Sequence, residues 1–423
     1  MPATVRAPEP GPERPGPQGQ AREAKVRDEN TRPPRSVPLF DPYAYETHED
    51  PYPIYRALRD DAPAYIDETR GFWALSRYAD VRGAIDDWHT FSSTGGITLE
   101  RDAAAVDPML IEMDPPRHTE LRALVSRAFT PKRVADLADP TRALARELLA
   151  ECGPEFDAIE DFAGTLPMAV ISTMLGIPRA DQDEVRAWTD AMLHREANSS
   201  DITEAGLAGA TQLYLYLDRL IATRRDAPGP DLASALIVAS DDAQSLRPEE
   251  VMGFLFLLVI AGNETTTKLI GNALFWLWKF PDQREVLLRD PTAIPMAVEE
   301  ILRYDTSTQS LARLLTCDVQ LHGITLPAGI KGLLLFGSAN RDERQWTDAD
   351  TLDVARNPAG HLAFGHGIHH CLGAALARLE TRVALEEVLP RLGRYEIDES
   401  CAHRVHSGNV RGFAQLPVIG ATS

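Results

Sequence analysis

The feature that most constrains the fold lies between Pro248 and Pro281. The 33 residues from Pro248 to Phe280 contain no internal proline. Read as one helix, they span roughly 50 Å at about 1.5 Å per residue. The first half, Val251-Met-Gly-Phe-Leu-Phe-Leu-Leu-Val-Ile260, is apolar on every side and must be buried all round. The apolar run then meets Ala261-Gly262-Asn263-Glu264-Thr265-Thr266-Thr267, so it is too short to cross a bilayer. An acid and three threonines inside a buried helix conflict with simple patterning, and such conflicts mark functional sites. A mid-helix threonine can bond back to the carbonyl four residues earlier and bend the helix. Small Ala261 and Gly262 open space on the same stretch.

Most of the remaining chain also carries apolar residues at helical spacing. Helices are predicted at Tyr52–Asp61, Ala79–Asp87, Pro116–Ala128, Pro131–Cys152, Asp157–Leu175, Ala180–Leu193 and Ile202–Arg225. Further helices are predicted at Asp282–Asp290, Pro295–Tyr304 and Cys371–Leu392, with a surface loop and one helix over 230–248. Strand-like pieces are short: Ala64–Ile66, Phe72–Ala74, Leu311–Leu315, Val319–Leu321, Ile324–Leu326, Gly332–Leu335, Tyr395–Ile397 and Phe413–Val418. Alternation through Val319–Leu326 with Gly323 at the turn predicts a hairpin. Residues 1–37 hold 8 of the 31 prolines, seven basic and five acidic residues and almost no large apolar side chain. Such a segment cannot offset its ordering entropy and is expected to be a disordered tail. No second Pro- or Gly-rich linker follows, so residues 38–423 are expected to form one large domain, mainly α with small β-sheets.

With 43 basic and 63 acidic residues the chain carries −20. That argues against wrapping nucleic acid or an anionic membrane, both of which need clustered Lys and Arg. The cysteines Cys152, Cys317, Cys371 and Cys401 are far apart and form no CxxC, so neither a disulfide framework nor a cysteine-only zinc site is expected. With no signal-like segment at the start, the expected location is the cytoplasm, without membrane attachment.

The most informative stretch is His361-Leu-Ala-Phe-Gly-His-Gly-Ile-His-His-Cys-Leu-Gly373. Gly365 and Gly367 permit backbone shapes that other residues resist. Cys371 is placed at the head of an Ala/Leu-rich helix, where free N–H groups favour a thiolate. Gly373 removes bulk where a flat group could lie against the backbone. A thiolate held by backbone donors beside a planar surface suits a haem iron ligand. Two readings compete on residues alone: a buried structural cysteine, and a zinc site made with His361, His366, His369 and His370.

Phe364 to Gly373 matches F-G-x-G-x-[HR]-x-C-x-G, and Ala261 to Thr266 matches [AG]-G-x-[DE]-T-T. Through these motifs the chain resembles the cytochrome P450 family, from about Asp41 to Gly420. The resemblance implies the P450 fold and haem b (iron protoporphyrin IX) with Cys371 as proximal iron ligand. It implies that Phe364 and Gly365 form the loop beside the sulfur and that Ala261 borders the haem on the distal helix. His369, His118, Arg122, Arg313 and His361 match family residues that reach the haem propionates. Thr265 and Glu264 match the proton-delivery positions, a structural ion pair being the other reading of Glu264. Glu300 and Arg303 resemble the family's ExxR pair beneath the haem, with Arg356 as a third member. The chain departs from the pattern at Ser307 and Glu343, where proline is common.

The implied activity is a soluble, bacterial-type monooxygenase. It would use O2 and two electrons from NAD(P)H, delivered by a separate ferredoxin- or flavodoxin-type partner with its reductase. The substrate is expected to be a hydrophobic small molecule: a secondary metabolite, terpenoid or steroid, fatty acid or aromatic compound. Residues 94–107 and 202–220 are expected to line or cover its cavity. Oxidative coupling, or a catalytically silent haem-binding partner protein, would use the same motifs.

Overall fold

The computed structural model describes residues 39–100, 109–196, 199, 201–240 and 246–420. The tail expected over residues 1–37, and the 101–107 part of the expected cavity loop, lie outside the described residues.

The long helix forms over Pro248–Lys279. Pro248 starts it because that position needs no N–H, and Pro281 begins the next helix, Pro281–Arg289. The helix has different neighbours at its two ends. Val251, Leu255 and Val259 pack with Leu175, Leu213, Leu217 and Leu236. Leu269, Ile270, Ala273 and Leu274 pack with Ile301, Val383, Leu385 and Val388. The polar interruption therefore sits between two apolar clusters.

Most expected helices form within two or three residues of their predicted bounds. Three do not. The segment expected as Pro131–Cys152 is two helices, Pro131–Asp136 and Ala138–Glu151. Pro140 has no N–H for the carbonyl of Asp136 and crowds it, so the first helix ends there. The segment expected as Asp157–Leu175 opens as a strand, Glu155–Asp157. It passes through a wide turn at Ala158–Ala163 before the helix Thr165–Leu175. Gly164 N–H bonds to Ile159 O at 2.8 Å, a five-residue step that absorbs Pro167. The helix expected from Cys371 begins at Ala374 instead.

The strands make small sheets at the edge of the helical body. The largest has five strands in the spatial order Ala64–Asp67, Phe72–Leu75, Lys331–Leu335, Ser310–Leu315 and Phe91–Ser92. Phe72–Leu75 and Lys331–Leu335 run parallel, with Trp73 opposite Gly332; the other pairs are antiparallel. This sheet brings Arg313, and Ser93 just beyond the strand Phe91–Ser92, beside His369 of the cysteine loop. A second sheet joins Glu155–Asp157, Pro417–Gly420 and Tyr395–Ile397. The expected hairpin forms in register, Val319 opposite Leu326.

A charged network fixes the helix Ile294–Tyr304. Glu300 and Arg303 are both fully buried. Two bonds of 2.7 Å join them, and Arg356 Nε reaches Glu300 Oε1 at 3.1 Å. Arg303 also donates to the carbonyls of Asn340, Ala349 and Thr351. Every polar atom of the pair thus has a partner, the condition under which burying charge is tolerable. Glu300→Ala would leave Arg303 buried and uncompensated. We expect a loss of about 3–5 kcal/mol, read by urea denaturation. A loss below about 1 kcal/mol would show the pair to be dispensable.

Candidate haem-thiolate site

Phe364–Cys371 is a tight loop tied by its own backbone. Gly365 and Gly367 both have φ of 63°, the left-handed region that glycine enters without strain. These two turns bring Cys371 N–H to Phe364 O at 2.8 Å and His370 N–H to Gly367 O at 3.1 Å. Cys371 precedes the helix start by three residues rather than heading it. Burial pushes its thiol up; the amides of Gly373 and Ala374 and the guanidinium groups of Arg122 and Arg378 pull the other way. Donors and cations thus surround the sulfur. Phe364 packs against the main core, with Arg378 over its ring at 4.5 Å.

Beside this loop lies a cradle of nitrogen donors. His118 and Arg122 project one turn apart from the helix Arg117–Val125. His118 is 1% exposed, and neither ring nitrogen has a partner among the described residues. Its ring stands 4.3 Å from that of His369, whose Nε2 meets Ser93 Oγ at 3.1 Å. Arg313 is buried and bonds only within its own strand, to Ala312 O at 2.7 Å, among the described residues. Arg122 donates to His370 O. Burial lowers the pKa of His369 to about 3, helped by Arg313, His118 and Arg122; burial brings Arg313 down to about 10, with Asp114 opposing. Cationic and N–H-bearing groups therefore converge in a buried space where little protein anion balances them.

The helix carrying His118 is clamped to the start of the long helix. Glu250 accepts from Arg117 and Arg247. Burial alone would raise its pKa, but the two arginines pull it down to about 2.

The middle of the long helix opens along one stripe. Leu257, Ile260, Ala261, Gly262 and Thr265 are partly or fully exposed between its buried stretches. Thr265 Oγ1 donates to Ala261 O at 2.8 Å, the expected bond to the carbonyl four residues back. Gly262 does not widen this face: a Cβ there would meet Ile171 Cγ1 at 3.2 Å. Glu264 is 2% exposed, with Oε2 at 3.1 Å from Lys268 Nζ.

His361 is held apart from the cradle: Nε2 meets Glu299 Oε2 at 3.1 Å and Nδ1 accepts from Ala363 N at 3.2 Å. Glu299, held also by Arg378 at 2.6 Å, is the stronger attraction. Burial would raise Glu299, yet His361 and Arg378 take it to about 2. The zinc arrangement fails because the histidines diverge, His361 to Glu299, His366 to Asp86 and His369 to Ser93.

A family model described as "Cytochrome P450" matches residues 292–403. The protein named cytochrome P450 123 of Mycobacterium tuberculosis is 46% identical over 387 residues, which cover 90% of this chain and 96% of that protein. The chain belongs to the cytochrome P450 family. The erythromycin C-12 hydroxylase of Saccharopolyspora erythraea is 37% identical, over 86% of this chain and 93% of its own length. CYP109E1 from Bacillus megaterium, solved in complex with testosterone, superposes with a TM-score of 0.84 at 34% identity, covering 89% of this chain and 99% of that one. The fold is that of a P450 and the enzyme is a P450 monooxygenase, a family whose cofactor is haem.

The donor set fits that cofactor. Two partnerless ring nitrogens on His118 and the under-engaged guanidinium of Arg313 are what a pair of buried carboxylates would satisfy. Three buried or partly buried polar residues beside these elements escaped the sequence reading. Ser93 and Asp114 hold the cradle's edge, Asp114 accepting from Ser93 N at 3.1 Å and Ser92 Oγ at 2.6 Å. Glu380 is a buried acid hydrogen-bonded to Thr266, and burial raises it well above the usual carboxylate range. Asp114 lies four residues before His118 in the run Asp114-Pro-Pro-Arg-His118; a lone serine and a helical glutamate give no signal.

Arg313→Leu separates the two states of the cradle. Without haem it removes an under-satisfied buried cation, and we expect the apoprotein to gain about 1–3 kcal/mol. Haem affinity should fall. Thermal melting of both forms reads the two signs; a destabilised apoprotein would refute the uncompensated charge.

Proposed function

We propose that the enzyme oxidises an amphipathic, largely apolar small molecule of steroid or macrolide size. O2 would be the oxidant, with two electrons from NAD(P)H delivered through a separate ferredoxin- or flavodoxin-type protein and its reductase. The observation that carries the reading is the placement of the unsatisfied cradle of His118 and Arg313 beside Cys371. The substrate class rests on the apolar open stripe of Leu257, Ile260 and Ala261. It also rests on relatives named as an erythromycin C-12 hydroxylase and a mycinamicin IV hydroxylase/epoxidase and on the testosterone-bound neighbour.

The protein's tasks follow from the residues. His118, His369, Arg122 and Arg313 would bind the haem carboxylates and fix its orientation. Cys371 Sγ would ligate the iron, with the amides of Gly373 and Ala374 holding the sulfur. When bound, haem supplies an iron centre that activates oxygen, favoured by the electron push of a thiolate. Thr265 Oγ1 rests on Ala261 O and can turn to donate a proton into the open space. The apolar stripe excludes water as substrate fills it. Both helical segments apolar enough to cross a membrane, Ala158–Leu175 and Pro248–Lys279, are largely buried within the fold, which supports a cytoplasmic enzyme.

Reduced protein treated with carbon monoxide should show the red-shifted Soret band of a thiolate-ligated haem, and Cys371→Ala should lose it. A band that persists in the variant would refute Cys371 as ligand. Thr265→Ala should keep the band but lower product formed per NADPH about tenfold, with the missing electrons recovered as hydrogen peroxide. Unchanged coupling would remove Thr265 from proton delivery.

A further inference from the structure

Glu264 makes a contact that its ion pair with Lys268 leaves unexplained. Its Oε2 is satisfied by Lys268 Nζ at 3.1 Å. Its Oε1 is buried and has no N–H or O–H donor among the described residues. A second carboxyl, Asp190, lies within hydrogen-bonding reach of Glu264 from the helix Gln182–Leu193, at the place where Asn263 Nδ2 meets Thr189 Oγ1 at 3.5 Å. Two carboxylates cannot bond each other unless one carries a proton.

The surroundings decide which one does. Lys268 lies against Glu264, and both are almost fully buried, so Glu264 is held as the anion. The charged group near Asp190 on its own helix is Arg186, at 3.8 Å. That guanidinium is committed elsewhere, to Glu160 at 2.9 Å. Desolvation and the Glu264 charge thus raise Asp190 well above the usual carboxylate range, with Lys268 and Arg186 opposing. Its side chain is still 46% exposed. One end of the pair touches water, and the other lies inside the long helix, next in sequence to Thr265.

We propose that Asp190 and Glu264 share one proton, and that Asp190 is the inlet through which solvent protons reach Glu264 and then the Thr265 face. The second half rests on the haem-thiolate reading. The Asp190 Oδ–H bond breaks and a Glu264 Oε1–H bond forms; water then reprotonates the Asp190 carboxylate. A turn of the neutral Glu264 side chain away from Lys268 carries the proton toward Thr265. Charge balances at each step and no electron moves. Because the Asp190 carboxyl is the donor, delivery falls as pH rises through its raised pKa and is fully present below it.

Infrared difference spectra test the shared proton without reference to oxygen chemistry. Wild type should show two protonated-carboxyl carbonyl bands near neutral pH, from Asp190 and Glu380. Asp190→Asn should lose one and Glu380→Gln the other, and raising the pH should titrate the Asp190 band first. The inlet is read from NADPH-driven oxygen consumption by the holoenzyme with an added ferredoxin and its reductase. Asp190→Asn should slow it about tenfold, flatten the alkaline limb of its pH profile and leave the carbon monoxide band intact. Asp190→Glu should restore the rate. Both bands surviving in Asp190→Asn, or an unchanged rate and pH profile, would overturn the proposal. Failure of the haem-thiolate reading would show separately, as a missing carbon monoxide band in the wild type.

Discussion

A 32-residue helix that is apolar on nearly every side can exist in water only if protein covers it along its whole length. That requirement organises the molecule. One half is covered by Thr165–Leu175 and by the helices Glu204–Asp226 and Leu232–Ser240. The other is covered by Ile294–Tyr304 and Ala374–Leu392. Thr165–Leu175 reaches both, with Leu166 and Val170 in one cluster and Met168 and Ile171 in the other, so the two coverings meet along it. A meeting of two cores is where a cavity costs least, since neither layer has to be hollowed out. Leu257, Ile260, Ala261, Gly262 and Thr265 are the positions left open there, and the cysteine loop feeds directly into one of the covering helices.

Electrostatics at the site runs against the charge of the chain. The protein carries −20, yet the buried cradle is cationic. Whole-chain charge governs solubility and long-range steering; a cofactor with two carboxylates responds only to the groups that touch it. His118 and Arg313 are buried polar groups that protein anions do not balance. Under the proposed function the haem carboxylates would supply the missing anions, which would make cofactor binding and folding stability one linked equilibrium. The Glu300–Arg303–Arg356 network shows the opposite solution. There the anion is built into the chain, every donor is met, and the result is scaffold rather than site.

Periodicity made most helices and strands legible, and two motifs of fixed spacing marked both faces of the site. What stayed hidden has physical causes. Pro140 and Pro167 break segments whose apolar spacing continues through them, because periodicity reports burial and not backbone hydrogen bonding. Phe91–Ser92 and His403–Arg404 are strands of two residues, too short to alternate. His361 is grouped with the cradle through its match to a family residue, which carries no information on which way the ring turns. Its direction depends on Glu299 and Arg378, which reach it from other parts of the chain. Asp190 was invisible for the same reason: it lies 74 residues from Glu264, and only packing of the two helices joins them.

The placement of Lys268 bears on what the open face can accommodate. A free carboxylate on that face would hold water, and expelling it for an apolar substrate would cost several kcal/mol. Glu264 is instead turned inward and neutralised one helical turn away, at 3.1 Å. The face keeps a single hydroxyl, Thr265 Oγ1, which is itself satisfied by the carbonyl of Ala261. The groups proposed to handle protons would thus lie beside the open face without making it polar. An oxidising centre that must exclude water to favour a hydrophobic molecule, yet needs protons on demand, requires that separation. In this chain a lysine four residues beyond the acid provides it.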